Sequence, residues 1–198
     1  EVPLEGIINN RVANFEKSHN VIKENIYLLE EKFKCTFKEL ILILENLSPT
    51  FLNLSGYKKL NGSQISKENI IYILNTCKSI VNEIESNKKI LHIFNSKYNL
   101  DNQKVENLPI GLFGDFYSHE LSFILINKND YKNLKNLFAN CNLKIKKILV
   151  KNFVKGANIS QNYKIETFFY LRISKSNSNI FYFENDSLKL EQNFSFGT

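Results

Sequence analysis

The chain has 198 residues, a length that allows one large domain or two small ones. Apolar residues make up 43% and charged residues 23% of it, a composition that excludes a disordered chain. The net charge of +6 comes from scattered lysines, so we expect no nucleic-acid partner. Met is absent, which predicts a fragment or a processed product. Cys35, Cys77 and Cys141 lie far apart without a CxxC spacing, so we expect buried thiols and no metal site.

The first predicted element is a long amphipathic helix, because apolar residues recur every three or four positions from Val12 to Phe33. His19 lies in this apolar stripe. Since no second ligand stands four residues later, we interpret it as a half-buried core residue. The continuous apolar run Leu40–Leu44 follows, and it predicts a strand that is buried on both faces.

The centre of the chain predicts a strand, a helix, two strands, a helix and a strand between residues 50 and 151. Ser66 is the expected N-cap of the first of these helices. This order is typical of a split βαβ unit with two helices on one face of a small sheet. Short strands at 168–173, 180–183 and 188–190 follow, so the central unit interrupts a larger domain.

Residues that carry chemistry are few. The sequence has none of the common phosphate-loop, dinucleotide, nucleophile-elbow or zinc-protease motifs. Its histidines lie in three different elements, and an acid–base role for His119 is a minor alternative. Lysines around the strand at 145–150 either contact phosphate or discourage pairing at the sheet edge; they are Lys144, Lys146, Lys147 and Lys151. We predict no catalytic residue.

An irregular segment at 101–119 interrupts this regular pattern, and the sequence around it, from Lys89 to Ile126, resembles FtsA, a family of bacterial actin-like cell-division proteins. In that family a strand reading roughly "vLHvlPqeYxiD" precedes a loop reading "NPxGmxG". The matching residues occur here in the same order: Leu91, His92, Ile93, Tyr98, Asp101, Asn107, Pro109, Gly111, Leu112 and Gly114.

The resemblance implies an α+β fold, an actin-like (ribonuclease-H-like) fragment with an inserted SHS2-type β-α-β-β-α-β subdomain. Residues 1–48 would end subdomain 1A, residues 49–152 would form subdomain 1C, and residues 153–198 would complete 1A and begin subdomain 2A. The family's first phosphate loop, its subdomain 2B and its C-terminal membrane-anchoring helix would be missing from the chain.

The resemblance also locates a nucleotide-phosphate position, where the family reads "vvDiGGGTtdiavf" and binds ATP with magnesium. Here Arg172 replaces the Asp, and Ser174, Lys175 and Ser176 replace the glycines ahead of Asn177. Added Cβ atoms block a close backbone approach to phosphate, and an Arg does not bind magnesium. We therefore expect a degenerate site without a cofactor. An ATP-binding protein with weak hydrolysis, using Arg172 and Lys175, is the alternative.

For function, the resemblance implies a cytoplasmic scaffold at the inner face of the membrane at the division site. It would link FtsZ to the membrane, recruit later division proteins and self-associate. The expected partner surface is the loop with Pro109, Gly111, Phe113, Gly114 and Asp115. Alternatively, Phe113 plugs the sheet edge, or the chain is an actin-like scaffold of the pilus-assembly kind.

Overall fold

The computed structural model describes residues 5–8, 11–45 and 49–197, which form two compact units. The first unit comprises residues 1–48 with 126–154, and the second comprises residues 49–125 with 155–198. The described elements, in chain order, are β1 (Ile7–Ile8), β2 (Arg11–Val12), α1 (Phe15–Phe33), β3 (Glu39–Leu44), β4 (Thr50–Lys59), α2 (Lys67–Ile84), β5 (Lys88–Leu100), β6 (Gln103–Val105), β7 (Phe116–Asn127), α3 (Lys128–Asn140), β8 (Lys144–Val150), α4 (Lys151–Tyr163), β9 (Phe168–Ile173), β10 (Ser178–Glu184) and β11 (Ser187–Phe194).

The first unit is built around a parallel pair of strands, β3 and β8. The predicted helix is present as α1, which begins after the N-cap Asn14 and ends at Lys34, a residue in the left-handed region (φ 49°). Helix α3 packs against both α1 and β8. His19 is half-buried, with its Nε2 3.3 Å from the carbonyl oxygen of Asn140.

The second unit contains a four-stranded sheet in the order β4-β7-β5-β6, with α2 packed on one face. Strands β4 and β7 are antiparallel along ten residue pairs, from Thr50 opposite Leu125 to Lys59 opposite Phe116. Ser66 is the N-cap of α2, as predicted, and exchanges hydrogen bonds with Asn69 in a capping box. Fully buried side chains fill the core between helix and sheet: Ile65, Ile73, Cys77, Val81, Tyr117, Leu121, Phe123 and Leu125.

The same unit carries an antiparallel sheet in the order β11-β10-β9. Phe183 on β10 stacks on Phe168 of β9 with ring centroids 4.9 Å apart, and its ring contacts Gly156 of α4. Gly156 is buried, and the absence of a side chain there makes room for this ring. Helix α4 is not apparent from the sequence, because its Gly and Asn residues have low helix propensity.

The structure corrects the predicted packing of residues 50–151. That segment does not form one unit, since α3 and β8 pack with residues 1–48 while residues 155–198 join the unit of the four-stranded sheet. The reason is that β8 pairs with β3, from Glu39 opposite Lys144 to Leu44 opposite Val150. The assignment of 1–48, 49–152 and 153–198 to named subdomains stays a prediction, and the packing of 126–152 speaks against its middle range.

The expectation of buried thiols is wrong for one cysteine. Cys77 is buried and Cys141 is half-buried, but Cys35 is exposed just after the C-terminus of α1. Burial raises the pKa of the Cys77 thiol, which keeps it protonated and unreactive.

We predict that Gly156→Ala destabilises the second unit, although Ala usually stabilises a helix by about 1 kcal/mol. A Cβ atom at this position would lie 1.8 Å from Cζ of the fully buried Phe183, and overpacking of this kind costs about 1–3 kcal/mol. Urea unfolding should show a net loss of stability. The exposed neighbour Lys155→Ala should be almost neutral in the same assay, and a stabilised Gly156→Ala chain would contradict the packing.

Candidate functional site

The irregular segment is held against the turn before α2 by backbone hydrogen bonds. The amide of Ile65 donates to the carbonyl of Leu112 over 2.8 Å, and the amide of Gly111 donates to the carbonyl of Ile65 over 2.9 Å. The amide of Gly114 donates to the carbonyl of Ser63 over 3.4 Å. Residues 63–65 and 111–114 therefore form a short antiparallel ribbon, and its hydrogen bonds hold the loop against the turn.

A single carboxylate fixes the other end of the loop. Asp101 Oδ1 accepts hydrogen bonds from the amides of Asp115 (2.9 Å) and Phe116 (2.8 Å). The Asp101 amide donates back to the carbonyl of Phe116 over 2.9 Å. Asp101 has a φ of 51°, in the left-handed region that Asp and Asn tolerate better than most residues. Asp101 thus ties the turn after β5 to the start of β7.

Each of the two positions in the loop requires glycine for a different structural reason. Gly111 has a φ of +92°, which strains any residue with a side chain. At Gly114 a Cβ atom would lie 2.4 Å from Cδ1 of Leu100, so the backbone passes too close to the sheet for a larger residue. Pro109 is buried, and its carbonyl accepts from the Leu112 amide over 3.2 Å.

This rigid loop exposes apolar side chains. Phe113 has 70% of its surface exposed, so it does not plug the sheet edge, which was the alternative that the sequence left open. The other exposed apolar side chains are Leu108, Ile110 and Leu112. We call residues 108–115 the docking loop. An apolar cluster on a fixed backbone is typical of a protein-binding surface.

The five residues expected to form a phosphate site at the end of β9 lie in two separate places, one on the sheet and one in the following turn. Arg172 lies on a face of the sheet, where its Nη2 donates to Asn179 Oδ1 over 3.0 Å and its Cζ lies 5.8 Å from the centroid of the Phe181 ring. Asn179 in turn donates to Asn193 on β11. These contacts hold the guanidinium within a row of polar side chains that crosses the sheet.

The other four residues of that position form a closed hairpin turn. The amide of Ser174 donates to the carbonyl of Asn177 over 2.8 Å, and Lys175 and Ser176 lie exposed between them. Nothing in the described turn has the left-handed φ that a glycine-rich phosphate loop uses to aim successive amides at an anion. A phosphate group at this turn would meet the charge of Lys175 but no set of backbone amides placed to donate hydrogen bonds to it.

An ion-pair cluster around a buried lysine, which no motif in the sequence indicates, lies between the two sheets of the second unit. Lys189 is only 7% exposed, and its Nζ is 2.8 Å from Glu120 Oε1 and 3.8 Å from Glu184 Oε2. Burial raises the pKa of Glu120, but the hydrogen bond and charge of Lys189 outweigh it, followed by the charge of Lys97, so the pKa is lowered. The one sequence signal is a Lys between Leu188 and Leu190 in a strand.

His119 and three of the four lysines near β8 have structural partners. His119 is 2% exposed, its Nε2 lies 3.1 Å from Asn95 Oδ1, and burial lowers its pKa to about 4. A neutral, enclosed imidazole has no access to a substrate. Two of the lysines, Lys144 and Lys146, reach Glu39 over 3.8 and 3.3 Å, and Lys151 pairs with Glu45, so these three face carboxylates on or beside β3.

The described residues offer neither a metal-binding group of side chains nor a membrane-spanning helix. Among residues 5–8, 11–45 and 49–197, no group of three or more His, Cys, Asp or Glu side chains is placed to hold a metal ion. In the same residues no helix is both long enough and apolar enough to cross a membrane.

Comparison with known proteins identifies the central segment. Residues 48–124 match the family model described as the SHS2 domain inserted in FtsA, and this range coincides with β4, α2, β5, β6 and most of β7. The chain is 26% identical over 144 residues to the cell division protein FtsA of Buchnera aphidicola subsp. Schizaphis graminum, covering 73% of this chain and 34% of that protein. With the cell division protein FtsA of Escherichia coli K12 it shares 20% identity over 165 residues, 83% of this chain and 37% of that protein.

A solved structure supports the fold. The PilM-PilN type IV pilus biogenesis complex superposes on 99% of this chain and 53% of the solved chain, with a TM-score of 0.56 and 10% sequence identity. The predicted resemblance and the predicted fold class, α+β and actin-like with an SHS2 insertion, are confirmed. The chain spans about a third of the length of the curated relatives it matches.

We predict that Asp101→Ala loosens the docking loop while Asp101→Asn does not. Alanine removes the acceptor of two amide hydrogen bonds, at a cost of about 1–3 kcal/mol, and it tolerates the left-handed φ poorly. Asparagine keeps Oδ1 and tolerates that φ. Hydrogen exchange at the amides of Asp115 and Phe116 should accelerate at least tenfold in the Ala variant. Equal exchange in both variants would show that the carboxylate does not hold the loop.

Proposed function

Because residues 48–124 are the SHS2 domain of an FtsA-like chain, we propose that this chain acts as a scaffold or adaptor of the bacterial division ring. Its work is to bind other proteins, and the docking loop is the surface that does so. The observation that supports this most is the combination of a fixed backbone with the exposed ring of Phe113. A preformed surface binds with little loss of conformational entropy.

The proposed partners are FtsZ, later division proteins and a further copy of the chain. The proposed location is the cytoplasm, at the inner face of the membrane at the division site, where the full protein links FtsZ to the membrane. The names of the relatives support a cell-division role in general. Since the chain spans only about a third of the length of these relatives, each of these partners is tested separately against the docking loop.

We also propose that the nucleotide-phosphate position is degenerate. Three features support this: the partner of Arg172 is an amide, the turn after β9 is closed by its own hydrogen bond, and its side chains occupy the places of glycines. The alternative of a weak ATPase is supported only by the positive charges of Arg172 and Lys175. A role in pilus assembly has weaker support, because a likeness at 10% identity speaks for the fold alone.

We predict that Phe113→Asp weakens partner binding at least tenfold without unfolding the chain. The matched control is Phe169→Asp, because Phe169 is exposed to the same extent (73% against 70%) but lies on β9. Binding of purified division proteins from the same cell, FtsZ among them, is measured by biolayer interferometry. The proposal fails if no division protein binds the unaltered chain, or if both variants lose binding equally.

We predict that titration calorimetry with ATP and magnesium shows no saturable binding to the chain. The closed turn presents no set of amides to the phosphates, and Arg172 offers no ligand to a metal ion. Micromolar affinity that disappears when magnesium is chelated would overturn the degenerate site. It would favour the alternative of a weak ATPase.

A further inference from the structure

The backbone of Phe113 points away from the ribbon that holds the docking loop. Gln64 and Phe113 are directly opposite each other, and the hydrogen bonds run from Ile65 to Leu112 and from Gly114 to Ser63 on either side. This is the pattern of a non-hydrogen-bonded antiparallel pair. In such a pair the N–H and C=O groups of each residue face outward. Phe113 therefore presents one donor and one acceptor at an open edge.

From this geometry we infer that the docking loop binds an extended peptide segment of its partner, by addition of a strand at Phe113. The inference rests on the proposed docking function and adds the conformation of the partner. A peptide residue opposite Phe113 would donate to its carbonyl and accept from its amide, as in strand addition at other sheet edges. Its side chain would lie beside the exposed ring of Phe113, so an apolar residue fits there.

A helical partner fits this edge less well. The backbone groups of a helix bond to one another. A helix packed over Phe113 would therefore cover the outward N–H and C=O without replacing the hydrogen bonds that these groups make to water. Each buried polar group left without a partner costs about 1–3 kcal/mol. The edge is also short, because the amides on either side, at Gly111 and Asp115, already donate within the chain. Recognition is limited to one residue pair and the apolar contacts around it.

The probe for this inference is a displayed library of random peptides, panned on the intact chain and counter-selected on the Phe113→Asp variant. We expect the selected peptides to carry apolar residues at alternate positions, as an extended strand does. N-methylation is then moved along a selected peptide. Because successive amides of a strand point to opposite sides, methylation of the residue facing Phe113 should lower affinity at least tenfold, while methylation of the next residue should not.

The outcomes separate the two proposals. Peptides with apolar residues three and four apart, an N-methyl scan without alternation, or no Phe113-dependent peptide at all would overturn strand addition. The docking function is judged independently, by the loss of division-protein binding in Phe113→Asp against Phe169→Asp. If that loss occurs while the N-methyl scan is flat, the loop docks a partner in another conformation.

Discussion

The second unit depends on burial of strand β7 between its neighbours. One face of β7 carries Tyr117, Leu121 and Phe123 into the core against α2, and Glu120 on the other face meets Lys189. A strand covered on both sides has little freedom of register, since a shift by one residue would exchange its apolar and charged faces. The start of β7 is therefore a fixed point, and the docking loop ends there.

Lys189 and Glu120 inside the second unit are paired with each other, whereas the backbone polar groups of Phe113 at its surface are not paired within the ribbon. Inside, the buried Lys189 needs the partly exposed Glu120, because without that carboxylate its ammonium group would lose its nearest opposite charge. Outside, the backbone N–H and C=O of Phe113 face away from the ribbon formed with residues 63–65. The first arrangement links the two sheets of the unit through a charged hydrogen bond, and the second is the basis of the strand addition that we infer.

The functional prediction from sequence depended on the spacing between Asp101 and Gly114. That spacing matches a structural requirement: Asp101 must reach the amides after Gly114, and Gly114 must pass Leu100 without a Cβ atom. The residues that carried the resemblance are thus the residues that shape the loop. The sequence alone did not decide whether Phe113 is exposed, because an aromatic residue in a loop is equally able to fill a gap or to face solvent.

By itself the sequence determined the helices α1 and α2, whose apolar period and caps are local properties, and the position of the irregular loop, which lacks a period and contains Pro109, Gly111 and Gly114. The tertiary structure decided which strand pairs with β8, the burial of Lys189, and the turn of Arg172 toward Asn179. These depend on segments distant along the chain. Burial is not settled by composition either: the apolar run in β3 predicted a strand buried on both faces, but Ile41 and Ile43 are 56% and 51% exposed. Which face is covered and which strand is the neighbour follow from the packing free energy of the assembled unit, which no local pattern contains.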